Sequence, residues 1–381
     1  VSHLYVHVPF CRRRCSYCDF SIAVRKRIPA EAYVAAVRAE VALLRRDGRW
    51  PAEPLETIYF GGGTPSLLDP DSLNALLRDA VSSPSSLDAV EITLEANPED
   101  VTPDRAAAWV AMGVNRVSLG AQSFDERVLH WMHRSHDGAH TARAVAELRR
   151  AGIENISIDL IFAVPPELAR DWDADLEQAL ALAPAHISLY GLTIEERTPL
   201  ARWISRSAAT PSDDDRYAQE YLRAHARLAD AGFELYEVSN AARPGYRSRH
   251  NSAYWSGRPY TGIGPAAHSY DGRARRWNLS AWEAYRRALA SGSAAVAQEE
   301  VLTTAQRQLE RRYLGLRTDA GIPAEGVDAT ASALWERNGW VRVHERRVRC
   351  TAEGWLRLDA LVRALTGAPV SSQIVTGKGV D

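Results

Sequence analysis

The chain has 381 residues, 46% apolar and 25% charged, with a formal net charge of −2. That length supports a large core and favours two domains over one. The near-neutral charge excludes a dominant basic field for nucleic acid, and no apolar run reaches the roughly 18 residues of a membrane span.

Short β-branched and apolar runs predict strands at 4–8, 57–60, 90–94, 116–119, 156–162 and 186–192. Tyr33, Val37, Val41 and Leu44 recur at helical spacing between the first two, and Leu73, Leu76, Leu77 and Ala80 before the third. Ala142, Val145 and Leu148, then Trp172, Leu176, Ala179 and Leu180, mark two more helices. Strand and helix alternating in this way predict parallel βα units with right-handed crossovers. Six units fall short of the eight in a closed barrel. The predicted fold is therefore α/β, a partial (β/α)6 TIM-type barrel over residues 1–240.

Within it, 213–231 read as a helix with Tyr217, Tyr221 and Leu228 on one side, and ELYEVSN (234–240) as a further strand. Periodicity fades over 241–272, where Gly, Pro, Ser and aromatics read as a long loop. We take 241–300 as a connecting segment. Residues 301–370 predict a smaller α+β, winged-helix-like domain: helices from Thr303, over 328–338 and from Ala352, with a hairpin in WVRVHERRVRCT. Residues 371–381, SSQIVTGKGVD, predict a flexible tail.

The stretch CRRRCSYCDF, 11–20, gathers Cys11, Cys15 and Cys18, three of the four cysteines. The opening VSHLYVHVPF lacks the basic region and long apolar run of a secretory signal, which predicts a cytoplasmic location. In that reducing compartment clustered cysteines suggest metal binding or catalysis. Structural zinc sites offer four ligands in paired C-x2-C units, and ferredoxin clusters use four thiolates at other spacings. Three thiolates on a [4Fe–4S] cube leave one iron open to a substrate.

C-x3-C-x2-C directly after a first strand resembles the radical S-adenosylmethionine (SAM) superfamily. The resemblance implies a [4Fe–4S] cluster on Cys11, Cys15 and Cys18, with SAM chelating the unique iron and an electron able to cleave it to a 5′-deoxyadenosyl radical. YFGGGTPS (59–66), LEANPE (94–99), LGAQSF (119–124), HRSH (133–136), Asp159 and LYGLTIEERT (189–198) lie at or near predicted strand C-termini. That is the face on which barrel enzymes build their sites. The resemblance puts Tyr5, Tyr17, Gly62, Gly63, Thr64, Glu95, Gln122, Arg134 and Asp159 in contact with SAM, with Leu192 adding to the pocket.

Over residues 1 to about 370 the chain resembles the group related to oxygen-independent coproporphyrinogen III oxidase. The oxidase carries a fourth cysteine two residues after the third; Phe20 stands there in this chain, which argues against coproporphyrinogen decarboxylation. The CDF ending, with HNSAYW at 250–255, instead resembles the haem-chaperone branch, HemW. That resemblance implies haem as cargo, with His250 as its ligand and Tyr254 and Trp255 against the porphyrin. It further implies transfer to an acceptor haemoprotein, a respiratory one by analogy, an electron donor if SAM is cleaved, and a cluster that orders the site or promotes a homodimer. By residue chemistry alone, HNSAYW also reads as a loop histidine whose aromatics close the barrel mouth. His268, His133, His136 and Cys350 are weaker candidate ligands. Coproporphyrinogen oxidase and a radical SAM C-methyltransferase stay open as alternatives. The acidic net charge disfavours nucleic acid as a partner.

Overall fold

In the computed structural model, which describes residues 1–51, 54–81, 87 and 89–365, the predicted strands form the centre of one large sheet. They are β1 (His3–Val8), β4 (Thr57–Gly62), β5 (Glu91–Ala96), β6 (Arg116–Gln122), β7 (Asn155–Phe162) and β8 (His186–Gly191). All six are parallel and adjacent in this order. The cysteine segment holds a two-residue parallel pair, β2 (Phe10–Cys11) and β3 (Ala23–Val24). This is the partial (β/α)6 barrel read from the sequence.

Period 2 sorts each strand's side chains onto two faces. One set is apolar and buried: Leu4, Val6 and Val8 on β1, Ile58 and Phe60 on β4, Ile92 and Leu94 on β5. The crossover helices cover it. Tyr33, Val37, Val41 and Leu44 are buried on Ala30–Arg46, and Leu73, Leu76, Leu77 and Ala80 on Pro70–Ala80. On Gly138–Ala151 the buried stripe is Thr141, Ala144, Val145 and Leu148, and Ala142 is exposed. That set follows the i, i+3, i+4, i+7 spacing of a single helix face, which Ala142 does not.

The alternate set is polar. His3, Tyr5 and His7, Thr57 and Tyr59, Glu91, Thr93 and Glu95, Arg116 and Ser118, Ser157 and Asp159 are all buried or half-buried. The lumen of this barrel is therefore lined with hydrogen-bonding groups.

The segment ELYEVSN does not add a parallel unit. It splits into β9 (Glu234–Glu237) and β10 (Asn240–Ala242), each antiparallel to its neighbour. The two residues between them can make only a tight turn, whereas a parallel crossover needs a dozen or more. Residues 241–272 are not a long loop either. They hold a helix at Arg249–Trp255, capped by Ser248, and the strands β11 (Thr261–Ile263) and β12 (His268–Tyr270). Pieces of three to seven residues are too short to show a period.

β11 pairs in parallel with β1, giving a nine-stranded sheet of order β11-β1-β4-β5-β6-β7-β8-β10-β9. The sheet thus continues past residue 240, which lies inside β10. β12 pairs with β13 (Ala274–Asn278), and β13 with β14 (Val296–Val301), in a separate antiparallel sheet.

The C-terminal region starts with a helix, Thr304–Arg317, whose Thr303 and Gln306 form a reciprocal cap. β15 (Ile322–Pro323), a helix at Ala329–Arg337, β16 (Val341–His344) and β17 (Arg347–Cys350) follow, then short helices at Ala352–Trp355 and Leu358–Ala364. The three strands pair in the order β15-β17-β16. Arg317 ties this region to the barrel: it ion-pairs with Glu237 at 3.0 Å and lies over the Trp255 ring at 4.2 Å. Residues 371–381 lie outside the described residues. Among the described residues no helix is long and apolar enough to cross a membrane.

Candidate functional site

The cysteine segment leaves the C-terminal end of β1 and folds over the barrel mouth. Its turns are fixed by a backbone hydrogen bond within the segment and by two to other parts of the chain. Ala23 donates to the Pro9 carbonyl at 2.7 Å, Ser16 to that of Met132 at 3.2 Å, and Leu200 to that of Ser16 at 2.9 Å. Beneath lies a small apolar cluster of Val128, Met132, Ile161 and Val164, against which Tyr17 and Leu192 pack.

Cys11, Cys15 and Cys18 are all free thiols, half-buried. Cys11 Sγ is 3.3 Å from Thr64 Oγ1, and Arg134 donates to Cys15 Sγ at 3.6 Å. Burial pushes the Cys11 thiol up to about 11 and Cys18 to about 12. Such thiols keep their protons unless a metal centre replaces them.

A single zinc would need all its sulfurs at about 2.3 Å from one point. Among the described residues no three Cys, His, Asp or Glu side chains converge in that way. Three free thiols on one short loop are the donor type that iron–sulfur centres use.

The remaining residues that the sequence singled out mostly gather around this loop. Gly62 ends β4 at φ 110° and donates its N–H to Glu95 Oε2 at 3.0 Å, while Tyr59 donates to Glu95 Oε1 at 2.9 Å. Burial raises the Glu95 carboxyl to about 7, despite both hydrogen bonds. Gly63 donates to the Val8 carbonyl at 2.8 Å, locking the glycine turn to β1. Arg134 spans Cys15, Asn97 Oδ1 (2.6 Å) and the Gly120 carbonyl (2.7 Å). Gln122 closes β6 at φ 67°, where the β6–β7 register shifts. Tyr5 stacks on Tyr59 with ring centroids 6.1 Å apart. Asp159 sits deeper, accepting from Ser118 and Ser157, and burial raises its pKa.

Leu192 belongs to the wall of a cavity of about 440 Å³ between the β7 and β8 ends, which also touches Asp19, Glu195, Arg197 and Tyr217. Phe20, where the oxidase has cysteine, is 50% exposed at the end of the cysteine run.

Gly62 yields a direct test. A Cβ there would lie 2.6 Å from the His7 ring, and the positive φ already disfavours any side chain. Gly62→Ala is expected to displace the turn and weaken SAM binding at least about tenfold, measured by equilibrium dialysis on reconstituted protein. Unchanged affinity would remove the glycine turn from the site.

His250 requires a correction. It lies not on a loop at the mouth but on the helix Arg249–Trp255, 1% exposed, at the opposite end of the strands. Its Nδ1 is 2.7 Å from Thr57 Oγ1 and its Nε2 2.8 Å from the Tyr254 hydroxyl. Thr57 in turn bonds His3 Nδ1 at 2.9 Å. The backbone N–H groups of Arg249 and His250 both donate to Glu91, at 3.0 Å each.

Thr57 opens β4 and Gly62 closes it, ~16 Å away at the rise of a strand. The helix is a plug in the barrel floor. Both ring nitrogens of His250 are engaged within the protein. Trp255 packs under Arg317 and Tyr254 edge-on against Tyr260.

Sequence reading missed the residues that hold the site from behind. His7 fills the space beneath Gly62 and bonds Tyr5 at 3.1 Å and the Ser21 carbonyl at 3.2 Å. Asn97 and Glu99 steady Arg134 and His136: although burial opposes it, the His136 ring at 3.2 Å and a hydrogen bond from Ser135 hold Glu99 down at about 2. The signal was available in EANPE, where a buried-strand end is followed by two polar groups.

A family model described as the radical SAM superfamily matches residues 5–179. The chain is 38% identical over 374 residues to the "Heme chaperone HemW" of Mycobacterium tuberculosis (strain H37Rv), covering 96% of this chain and 94% of that protein. It is 34% identical over 391 residues to a bovine protein named "Radical S-adenosyl methionine domain-containing protein 1, mitochondrial", covering 95% of this chain and 86% of that protein. The solved structure of coproporphyrinogen III oxidase (HemN) from Escherichia coli superposes with a TM-score of 0.78 at 21% identity, over 95% of this chain and 89% of that one. That likeness concerns the fold.

Proposed function

Because this chain belongs to the haem chaperone HemW family of radical SAM proteins, we propose that it is a haem carrier working in the cytoplasm, which binds haem and passes it to acceptor haemoproteins. The observation that carries this reading is the similarity to HemW relatives along nearly the whole chain. The intact three-thiol loop accompanies it.

Cys11, Cys15 and Cys18 would hold the iron–sulfur cluster, and SAM would lie against Gly62, Glu95 and Arg134. Cluster and SAM together supply an open iron site and one-electron chemistry. The chain's own residues fix the surroundings. Arg134, locked by Asn97 and the Gly120 carbonyl, keeps a permanent cation beside Cys15 and suits a carboxylate. Glu95, poised near neutrality, can accept from an amino group or hold a proton. Tyr17 and the apolar cluster below the loop keep water from its underside.

The test is haem transfer under anaerobic conditions. Reconstituted protein should bind haem saturably, one per chain, and deliver it to an apo-haemoprotein faster than free haem equilibrates. Absence of saturable binding would defeat the reading. Conversion of coproporphyrinogen to protoporphyrinogen in the presence of SAM would replace it with the oxidase reading.

A further inference from the structure

Four side chains on the sheet β12–β13–β14 form a surface that the site above does not use. Across the β12–β13 pair, His268 faces Trp277 and Tyr270 faces Arg275. Strand alternation puts all four on one face. The His268 and Trp277 rings lie nearly parallel, 15° apart with centroids at 5.6 Å. The Arg275 guanidinium stands 5.9 Å over the Tyr270 ring and ion-pairs with Glu310 at 2.9 Å. His268 is exposed, and Tyr270 and Trp277 are half-buried.

The histidines differ in what is left to bind. His3, His7, His136, His186 and His250 are buried, with ring nitrogens bonded to protein groups. The ring nitrogens of His268 have no hydrogen-bond partner among the described residues. Partial burial, then the charge of Arg275, lowers its pKa, so the ring is neutral near pH 7 with a lone pair to give.

We propose that His268 is the axial ligand for the haem cargo, with Trp277 stacked on the imidazole to fix its orientation and Arg275 as a partner for a propionate. The proposal rests on the haem-carrier reading and adds the residue that reading lacks. An imidazole is a strong iron ligand. A ring stacked on an imidazole holds its orientation, and guanidinium groups pair with carboxylates. A shallow, open sheet face suits a cargo that must be released to another protein.

The HNSAYW segment gains a role in this arrangement without ligating iron. Tyr254, which holds His250 Nε2, packs on Tyr260 with centroids 4.5 Å apart. Tyr260 exchanges backbone hydrogen bonds with Tyr270 at 2.8 and 2.9 Å. The floor helix therefore braces β12 through this chain of rings, and His250 is a positioning residue. Gly262 makes the close approach of β12 feasible, since a Cβ there would lie 2.0 Å from the His268 carbonyl oxygen.

The experiment is a ferric haem titration on the full, anaerobically reconstituted chain: wild type, His268→Ala, His268→Cys and His250→Ala, followed by visible absorption. Expected results are affinity reduced at least tenfold in His268→Ala, a thiolate-type Soret shift in His268→Cys, and a wild-type spectrum in His250→Ala even where its affinity falls. Equal SAM binding by His268→Ala and wild type shows that the exposed substitution leaves the fold intact. Wild-type haem binding with an unchanged His268→Ala spectrum overturns the ligand and leaves the carrier reading standing. No saturable binding to wild type overturns both.

Discussion

Replacing any one of Cys11, Cys15 and Cys18 by serine is expected to reduce the iron of reconstituted protein from about four atoms per chain to below about one, and to abolish its cluster absorption. Three features make the effect large. The cube would be held by three protein ligands only, so loss of one removes a third of its attachment. Among the described residues no imidazole or carboxylate completes a preformed ligand group that could take over. Serine is a weak substitute, because a thiolate binds iron far better than a hydroxyl that keeps its proton. Cys350→Ser is the control: that thiol is buried on β17 in the C-terminal sheet and should leave the iron content unchanged. Iron and SAM binding are measured together. A single loop variant with full iron content would refute the three-ligand assignment. Iron lost from Cys350→Ser would assign a ligand that the fold places elsewhere.

The second large effect is on stability and its pH dependence. Burial, with the charges of His3 and Arg116 adding to it, holds the His250 ring down at about 3. The unfolded value is near 6.5. A folded pKa below the unfolded one means that the unfolded chain binds more protons as pH falls. His250 thus contributes its full stabilisation above about pH 6.5 and loses about 1.4 kcal/mol per pH unit from there down to about 3. His250→Asn should destabilise the protein at pH 7, since it breaks the contacts with Thr57 and Tyr254. Its disadvantage relative to wild type should shrink by about 3 kcal/mol by pH 4.5. Urea midpoints for both proteins at pH 7, 6, 5 and 4.5 read this out. Differencing cancels the opposite trend of Glu95, whose raised pKa stabilises the acid side in both proteins. A gap that stays constant with pH would mean that the ring is accessible to water, and would return it to the list of haem ligands.

Much of the molecule was legible before its structure. The βα rhythm fixed six parallel strands because each strand's apolar alternate residues must be covered by a helix of matching stripe, and both patterns are local. C-x3-C-x2-C was legible for a similar reason: three ligands on one short loop need no tertiary partner to declare themselves. The lumen was less legible. His3, Thr57, Glu91 and Arg116 are scattered across four strands, and only the closing of the sheet makes them a floor.

The sharpest contrast is HNSAYW. Its residue types alone allow a haem ligand, and nothing within six residues reveals that Ser248 caps a helix and that Glu91 takes its first N–H groups. Glu91 lies more than 150 positions away in sequence. His268 shows the converse. Its sequence neighbours, in GIGPAAHSY, are small and aromatic residues, and only the β12–β13 register sets Trp277 beside it. The sequence by itself determined the barrel and the three thiols, because those follow from local period and spacing, and its motifs carried the resemblance to the family. Which imidazole is sealed and which is free was decided by tertiary structure, because burial and hydrogen bonding depend on groups brought together from distant parts of the chain.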